Sequence, residues 1–263
     1  MIQFNIKRFG KLARWSLTSD RRFYVRNFLQ MLVVLTLVYL GFTLNILNYR
    51  DGGISQNYPV CATITIIILL IDFFVGPSMM FASMKGKHDD QMLMMLPASN
   101  FEKYLMRYAT WLILLPLILV AILSADVIQY AVNMLMGHEG TRFVTGFIVD
   151  RVNEILVGST KMPRNLLTMI VLTLLSIHSF YAFGATFFRS HKFTAIFTTI
   201  ALVILSIVQT WIFPNLNMHI DSDVPTTGIM IWDASLAFGV IVNFLLSYWL
   251  FRRTQVIGRF VNL

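Results

Sequence analysis

The sequence predicts an all-α polytopic membrane protein. It reads as six transmembrane helices, with an N-terminal amphipathic helix lying at the membrane surface and a short helix in the first cytoplasmic loop. Three observations predict this. Of the 263 residues, 57% are hydrophobic and only 13% are charged, whereas a soluble domain carries about 25% charged residues. The apolar residues gather into six runs, each near the ~20 residues that cross a hydrocarbon core as a helix. Lys and Arg concentrate in alternate connecting segments, as they do in spanning proteins with a basic inner face.

The six runs are residues 28–47, 60–84, 104–124, 166–188, 193–213 and 231–251. They are continuous rather than alternating, which excludes a barrel of short two-faced strands. In lipid the backbone must satisfy its own N–H and C=O groups, so each run reads as a helix. The first run starts late and is followed by no small-residue cleavage pattern, so it reads as a retained span rather than a signal peptide. With the N-terminus inside, the outer segments hold only Arg50, Arg142, Arg151, Lys161 and Arg164 of the 21 Lys and Arg. That asymmetry places both termini in the cytoplasm. A single transmembrane domain over 1–263 follows: an interfacial segment 1–26, a six-span bundle 28–251, a cytoplasmic loop 85–103 and a cytoplasmic tail 252–263.

At about 100° per residue, Ile2, Ile6, Phe9, Leu12, Ala13 and Leu17 share one face of the N-terminal helix, and Lys7, Arg8, Lys11 and Arg14 share the other. Phe4 and Trp15 fall on the basic side and spoil the pattern. In the loop 85–103, residues 89–96 form a short helix that Pro97 ends, since the residue before proline avoids helical geometry. Ser99-x-x-Glu102 then matches a capping box that opens the third span. Met92, Leu93, Met94, Met95 and Leu96 make an apolar, Met-rich surface, of a kind that either packs under a bundle or adapts to a partner. The outer segments, 125–165 and 214–230, are too small to be enzyme domains. Residues 143–156 within the first are weakly amphipathic.

Much chemistry is excluded. One cysteine, Cys61, rules out a disulfide framework and Cys-rich metal sites. There is no phosphate loop, and GSTK at 158–161 lacks the upstream glycine spacing. No metalloprotease, nucleophile-elbow or calcium-loop motif occurs, and the five histidines lie in five separate segments. No catalytic role is expected, and neither is a nucleic-acid partner, because a net charge of +8 in so apolar a chain marks an inner face.

Polar residues within the runs are few. Asp72 lies near the middle of the second, where a carboxylate costs about 2.5–3.5 kcal/mol to insert. Thr65, Asp72, Gly76 and Met79 share its face, and Pro77 predicts a kink near Phe73 and Phe74. His178 sits mid-span in the fourth run and reads as a hydrogen-bonded packing residue. Thr168, Ser176, Ser179 and Thr186 form a stripe beside it. Thr199, Ser206 and Thr210 align in the fifth run. Asn243 reads as a helix–helix hydrogen bond, and Asp126 and Asp233 fall near the outer boundary.

The stretches MLMMLPASNFEKYLMRY (92–108) and HSFYAFGATFFRSHKF (178–193), together with the basic N-terminal helix and the six runs, resemble the ABC type-2 permeases. These are the membrane subunits of bacterial ATP-binding-cassette exporters. The resemblance implies a subunit of the bacterial inner membrane that pairs with a second copy and two separate ATPase subunits. ATP and magnesium would belong to those partners, and no cofactor to this chain. It makes Asp89, Asp90, Met92, Leu93, Met94, Met95, Leu96 and Pro97 the coupling surface for the ATPase, and residues 4–17 the connecting helix. It places Asp72 and Thr65 of the second span, and Thr199, Ser206 and Thr210 of the fifth, along the translocation path. The family often carries re-entrant outer helices between the last two spans; here 214–230 is short and polar. Two other readings stand beside this one: an ion-coupled carrier using Asp72 and His178, and a membrane scaffold that moves nothing.

Overall fold

In the computed structural model, residues 4–44, 57–83, 89–138, 140–157, 164–188, 193–212 and 227–253 are described, with no side-chain placement for residues 89, 90, 155–157, 164, 210, 212 and 227. These residues form helices α1 (Ile6–Ser19), α2 (Arg21–Thr43), α3 (Tyr58–Val75), α4 (Asp89–Met95), α5 (Asn100–Leu135), α6 (Val144–Val157), α7 (Arg164–Phe187), α8 (Thr194–Ile212) and α9 (Thr227–Arg253). A 3-10 turn, Gly76–Met79, continues α3. Five helical segments are long and apolar enough to cross a membrane: Arg21–Thr43, Tyr58–Met79, Asn100–Leu135, Asn165–Phe187 and Gly228–Arg253. The apolar stretch Thr194–Gln209 of α8 is shorter than that measure. The protein is thus all-α and of the polytopic membrane type.

The chain divides into two compact units, each with contributions from α3 and α5. One comprises Asp20–Asp72 and Leu112–Lys161. Its core is written at helical spacing: Leu35 and Tyr39 on α2, Cys61 and Ala62 on α3, and Ile118, Ala121, Ile122 and Ala125 on α5. The small residues among them let backbones approach closely, the usual basis of helix contact in lipid. Hydrogen bonds stitch the same faces together. Tyr39 OH meets Thr65 Oγ1 at 2.7 Å, Asn133 Nδ2 donates to Thr43 Oγ1 at 2.9 Å, and Asn57 Nδ2 donates to the Phe42 carbonyl at 2.8 Å.

At 36 residues, α5 is ~54 Å long and runs beyond the expected end at 124. Its extension alternates in character around the helix. Asp126, Gln129 and Asn133 are buried, while Val127, Ile128 and Met134 are exposed. Gly137, at φ 70°, ends it: Gly137 N donates to Met134 O at 3.1 Å and His138 N to Asn133 O at 3.2 Å, a Schellman motif. Asp126 then caps α6, accepting from the backbone N–H of Val144 at 2.8 Å and of Thr145 at 2.9 Å, and from the Thr145 hydroxyl. This carboxylate, which the sequence reading left as a boundary residue, is a buried helix cap.

The other unit comprises Met1–Ser19, Phe73–Trp111 and Met162–Leu263. Here α7 is the hub, packed along α9 and against α8 and the 3-10 turn. Gly184 permits the α7–α8 contact, because a Cβ there would lie 2.1 Å from Thr198 Oγ1. The polar stripe of α7 faces α9: Asn243 Nδ2 donates to Ser179 Oγ at 3.1 Å, and Ser247 joins Thr186 at 3.1 Å and the Ala182 carbonyl at 3.1 Å. Asn243 therefore does serve as an interhelical hydrogen bond. A second core gathers Leu12, Met80, Leu93, Ala98, Tyr104, Met106, Ala185 and Phe251.

Candidate functional site

The site grows from the capping box at the start of α5. Ser99 Oγ accepts from Glu102 N–H at 3.2 Å, and Glu102 Oε2 accepts from Ser99 N–H at 2.8 Å, the reciprocal pair the spacing predicts. Glu102 also reaches across to the N-terminal segment. Its Oε1 accepts from Asn5 N–H at 2.7 Å, and the Arg8 guanidinium donates in a fork, Nε to Oε2 at 2.8 Å and Nη2 to Oε1 at 2.7 Å. Asn5 in turn caps α1, its Oδ1 accepting from Lys7 N–H at 2.9 Å and Arg8 N–H at 3.3 Å. One carboxylate thus fastens α1 to the foot of α5.

The electrostatics follow the geometry. The Arg8 hydrogen bonds, reinforced by the N–H groups of Asn5 and Ser99, outweigh desolvation and hold the Glu102 carboxyl at about 2 against its usual 4.5. The Arg8 guanidinium is raised by the same contact. The Glu102 side chain has no exposed surface and that of Arg8 is 32% exposed. Little protein lies beyond the pair, however, so it is closer in strength to a screened surface pair than to a deep one. Next door, the Lys103 ammonium donates to the Met94 carbonyl at 2.7 Å, holding the last turn of α4; its burial lowers its pKa.

This mounting presents α4 in a defined way. Leu93 is buried in the same core as Leu12 of α1. Met92 is 52% exposed and Met95 82% exposed, three residues apart and so on one face. Met94 and Leu96 are half-buried and Pro97 is exposed. Asp89 and Asp90 form the first turn of α4, but their side chains lie outside the described residues. A cleft of about 310 Å³ opens beside the clasp, walled by Phe4, Phe101, Tyr248 and Arg252.

No family model, no curated protein and no solved structure matches this chain.

A second constellation surrounds Pro77. In an α-helix the Phe73 carbonyl would accept from the N–H of residue 77, which proline lacks. The His178 ring supplies the missing donor, with Nδ1 2.8 Å from Phe73 O. Since a carbonyl only accepts, Nδ1 carries the proton, and Nε2 accepts from the Tyr108 hydroxyl. Trp111 and Phe73 pack on the imidazole at 4.6 and 4.8 Å between ring centroids. Where Pro77 led to the expectation of a kink, the chain passes from α to 3-10 after Val75, and a histidine from α7 completes the hydrogen bonding.

The remaining expected path residues divide between the units. Thr65 is fully buried, tied to Tyr39 OH and to the Cys61 carbonyl at 2.8 Å. Asp72 is half-buried and ends the first of the two segments that make up its unit. In the other unit, Thr199 meets Tyr181 OH at 2.7 Å, and Ser206 is exposed and bonds back to the Val203 carbonyl at 2.8 Å. The Thr210 side chain lies outside the described residues. Sequence reasoning missed the roles of Arg8 and Asp126. An Arg near the start of a basic helix gives, in the sequence, no hint of a partner 94 residues away.

Proposed function

We propose that the chain is the membrane-spanning subunit of an ATP-driven exporter, with α8 as a sixth span and ATP hydrolysis supplied by separate ATPase subunits of the ATP-binding-cassette kind. The observation that carries the reading is α4. It is a short helix anchored by Leu93 and by the Lys103 bond to Met94 O, with Met92 and Met95 left bare. Anchored on one side and adaptable on the other, it suits a docking surface that receives a push from a partner. In this reading α1 and α4 lie on the cytoplasmic side of the bacterial inner membrane, two copies of the chain enclose the path, and the substrate is an amphiphile: a lipid, peptide or drug-like molecule.

The ion-coupled alternative fares less well, because both ring nitrogens of His178 are committed to internal partners. A static scaffold predicts the same anchoring but no coupled hydrolysis. The test is co-purification of the full chain with an ATPase, followed by Met92→Glu/Met95→Glu. The expected result is loss of the complex, or of substrate-stimulated ATP hydrolysis, with the chain still folded. An intact, fully coupled complex from that variant would refute the docking assignment.

A further inference from the structure

The clasp leaves α1 with three faces rather than two. At about 100° per residue, Arg8, Leu12 and Ser16 form the arc turned into the protein, and Leu12 and Ser16 are the buried residues of the helix. Ile6, Ala13 and Leu17 form a second arc about 120° round; Ile6 is 75% exposed and Leu17 43% exposed. Lys7, Lys11 and Arg14 form the third, all exposed, and the helix contains no acidic residue. An interfacial helix turns its apolar strip toward the acyl chains. With one flank already taken by the protein, that leaves the basic arc on the other flank, at the depth of the headgroups. Arg252, lining the cleft beside Phe4 and Phe101, adds a cation at the same end of this unit.

We infer that α1 is a reader of anionic phospholipids: Lys7, Lys11 and Arg14 bind phosphate-bearing headgroups of one leaflet while Ile6 and Leu17 enter its apolar edge. Charge complementarity selects the lipid, and the docked arc fixes the angle at which the cations meet it. Because Leu12 shares a core with Leu93, and Glu102 joins α1 to the foot of α5, the charge of the leaflet is felt where α4 is mounted. This inference does not depend on what the chain transports, or on whether it transports at all.

The test uses the full chain in nanodiscs of phosphatidylcholine with or without phosphatidylglycerol. Leu17→Cys carries a polarity-sensitive fluorophore; the native Cys61 is buried. Acrylamide, a neutral quencher, reports whether the label is immersed, without itself responding to leaflet charge. The expected result is severalfold protection on adding phosphatidylglycerol, reversed by high salt in the unaltered chain. Lys7→Gln/Lys11→Gln/Arg14→Gln should remove most of that severalfold protection, since each cation near an anionic surface contributes to the attraction. Equal quenching in both lipid compositions would overturn the inference, as would full protection in phosphatidylcholine alone or lipid dependence that survives both high salt and the triple substitution.

Discussion

Replacing Glu102 by alanine tests the clasp most directly, because one side chain closes four hydrogen bonds. Losing its half of the capping box costs about 1 kcal/mol. The Asn5 N–H, left without an acceptor, adds about 1 kcal/mol. The Arg8 pair, exposed at one end and screened by solvent, adds little beyond these. The sum, about 2 kcal/mol, falls on the attachment of α1 rather than on the whole fold, since segments open locally with their own free energies. Amide hydrogen exchange across α1 (Ile6–Ser19) should therefore accelerate roughly thirtyfold, while α7 and α9 keep their protection. Arg8→Gln, which removes only the pair, should accelerate the same amides about fivefold or less. The pH dependence has a definite sign. The folded carboxyl sits at about 2 and the free one at 4.5, so the clasp is complete above 4.5 and is lost as pH falls toward 2. Unchanged exchange in α1 on Glu102→Ala, or equal acceleration across the entire unit, would refute the reasoning.

Three further outcomes are expected. His178→Phe should destabilise the chain by about 2–3 kcal/mol, because the Phe73 carbonyl and the Tyr108 hydroxyl both lose a partner; adding Pro77→Ala restores a backbone donor and should recover about 1 kcal/mol in a double-mutant cycle of chemical denaturation. Gly184→Ala should cost about 1–3 kcal/mol by driving a methyl into Thr198, read as a lowered Tm in detergent, and Thr198→Ala should relieve part of it. Asp126→Ala should expose the N-terminus of α6, costing about 1–2 kcal/mol, and should admit proteases at the chain reversal after Gly137.

Helix type and rough position were readable from apolar periodicity, because lipid leaves the backbone few alternatives. The capping box and the helix stop before Pro97 were readable too, since each is a local rule acting within four residues. Ends set by tertiary contact were not. The extension of α5 is polar on the face turned inward, and hydropathy alone takes Asp126, Gln129 and Asn133 for the edge of the bilayer. Phe4 seemed misplaced on a helical wheel because it precedes α1; it lies against Phe9 and Phe101, with centroids 6.1 and 5.9 Å apart. Trp15 packs beside the second core together with Phe9, so the buried arc of α1 is rotated from the one that hydrophobicity picks out. At the candidate site, the Met-rich surface was legible as a composition. Which methionines stay bare depends on Leu93 finding a pocket, and that pocket is built from residues of α1, α5, α7 and α9.

The donor borrowed by Phe73 has a consequence for biosynthesis. His178 follows it by 105 residues, which a ribosome adding about 5–20 residues per second needs roughly 5–20 s to make. For that interval the Phe73 carbonyl lacks the donor that His178 later supplies, and an apolar surrounding offers no other. Completion waits for α7, and the order of the genetic message becomes an order of assembly.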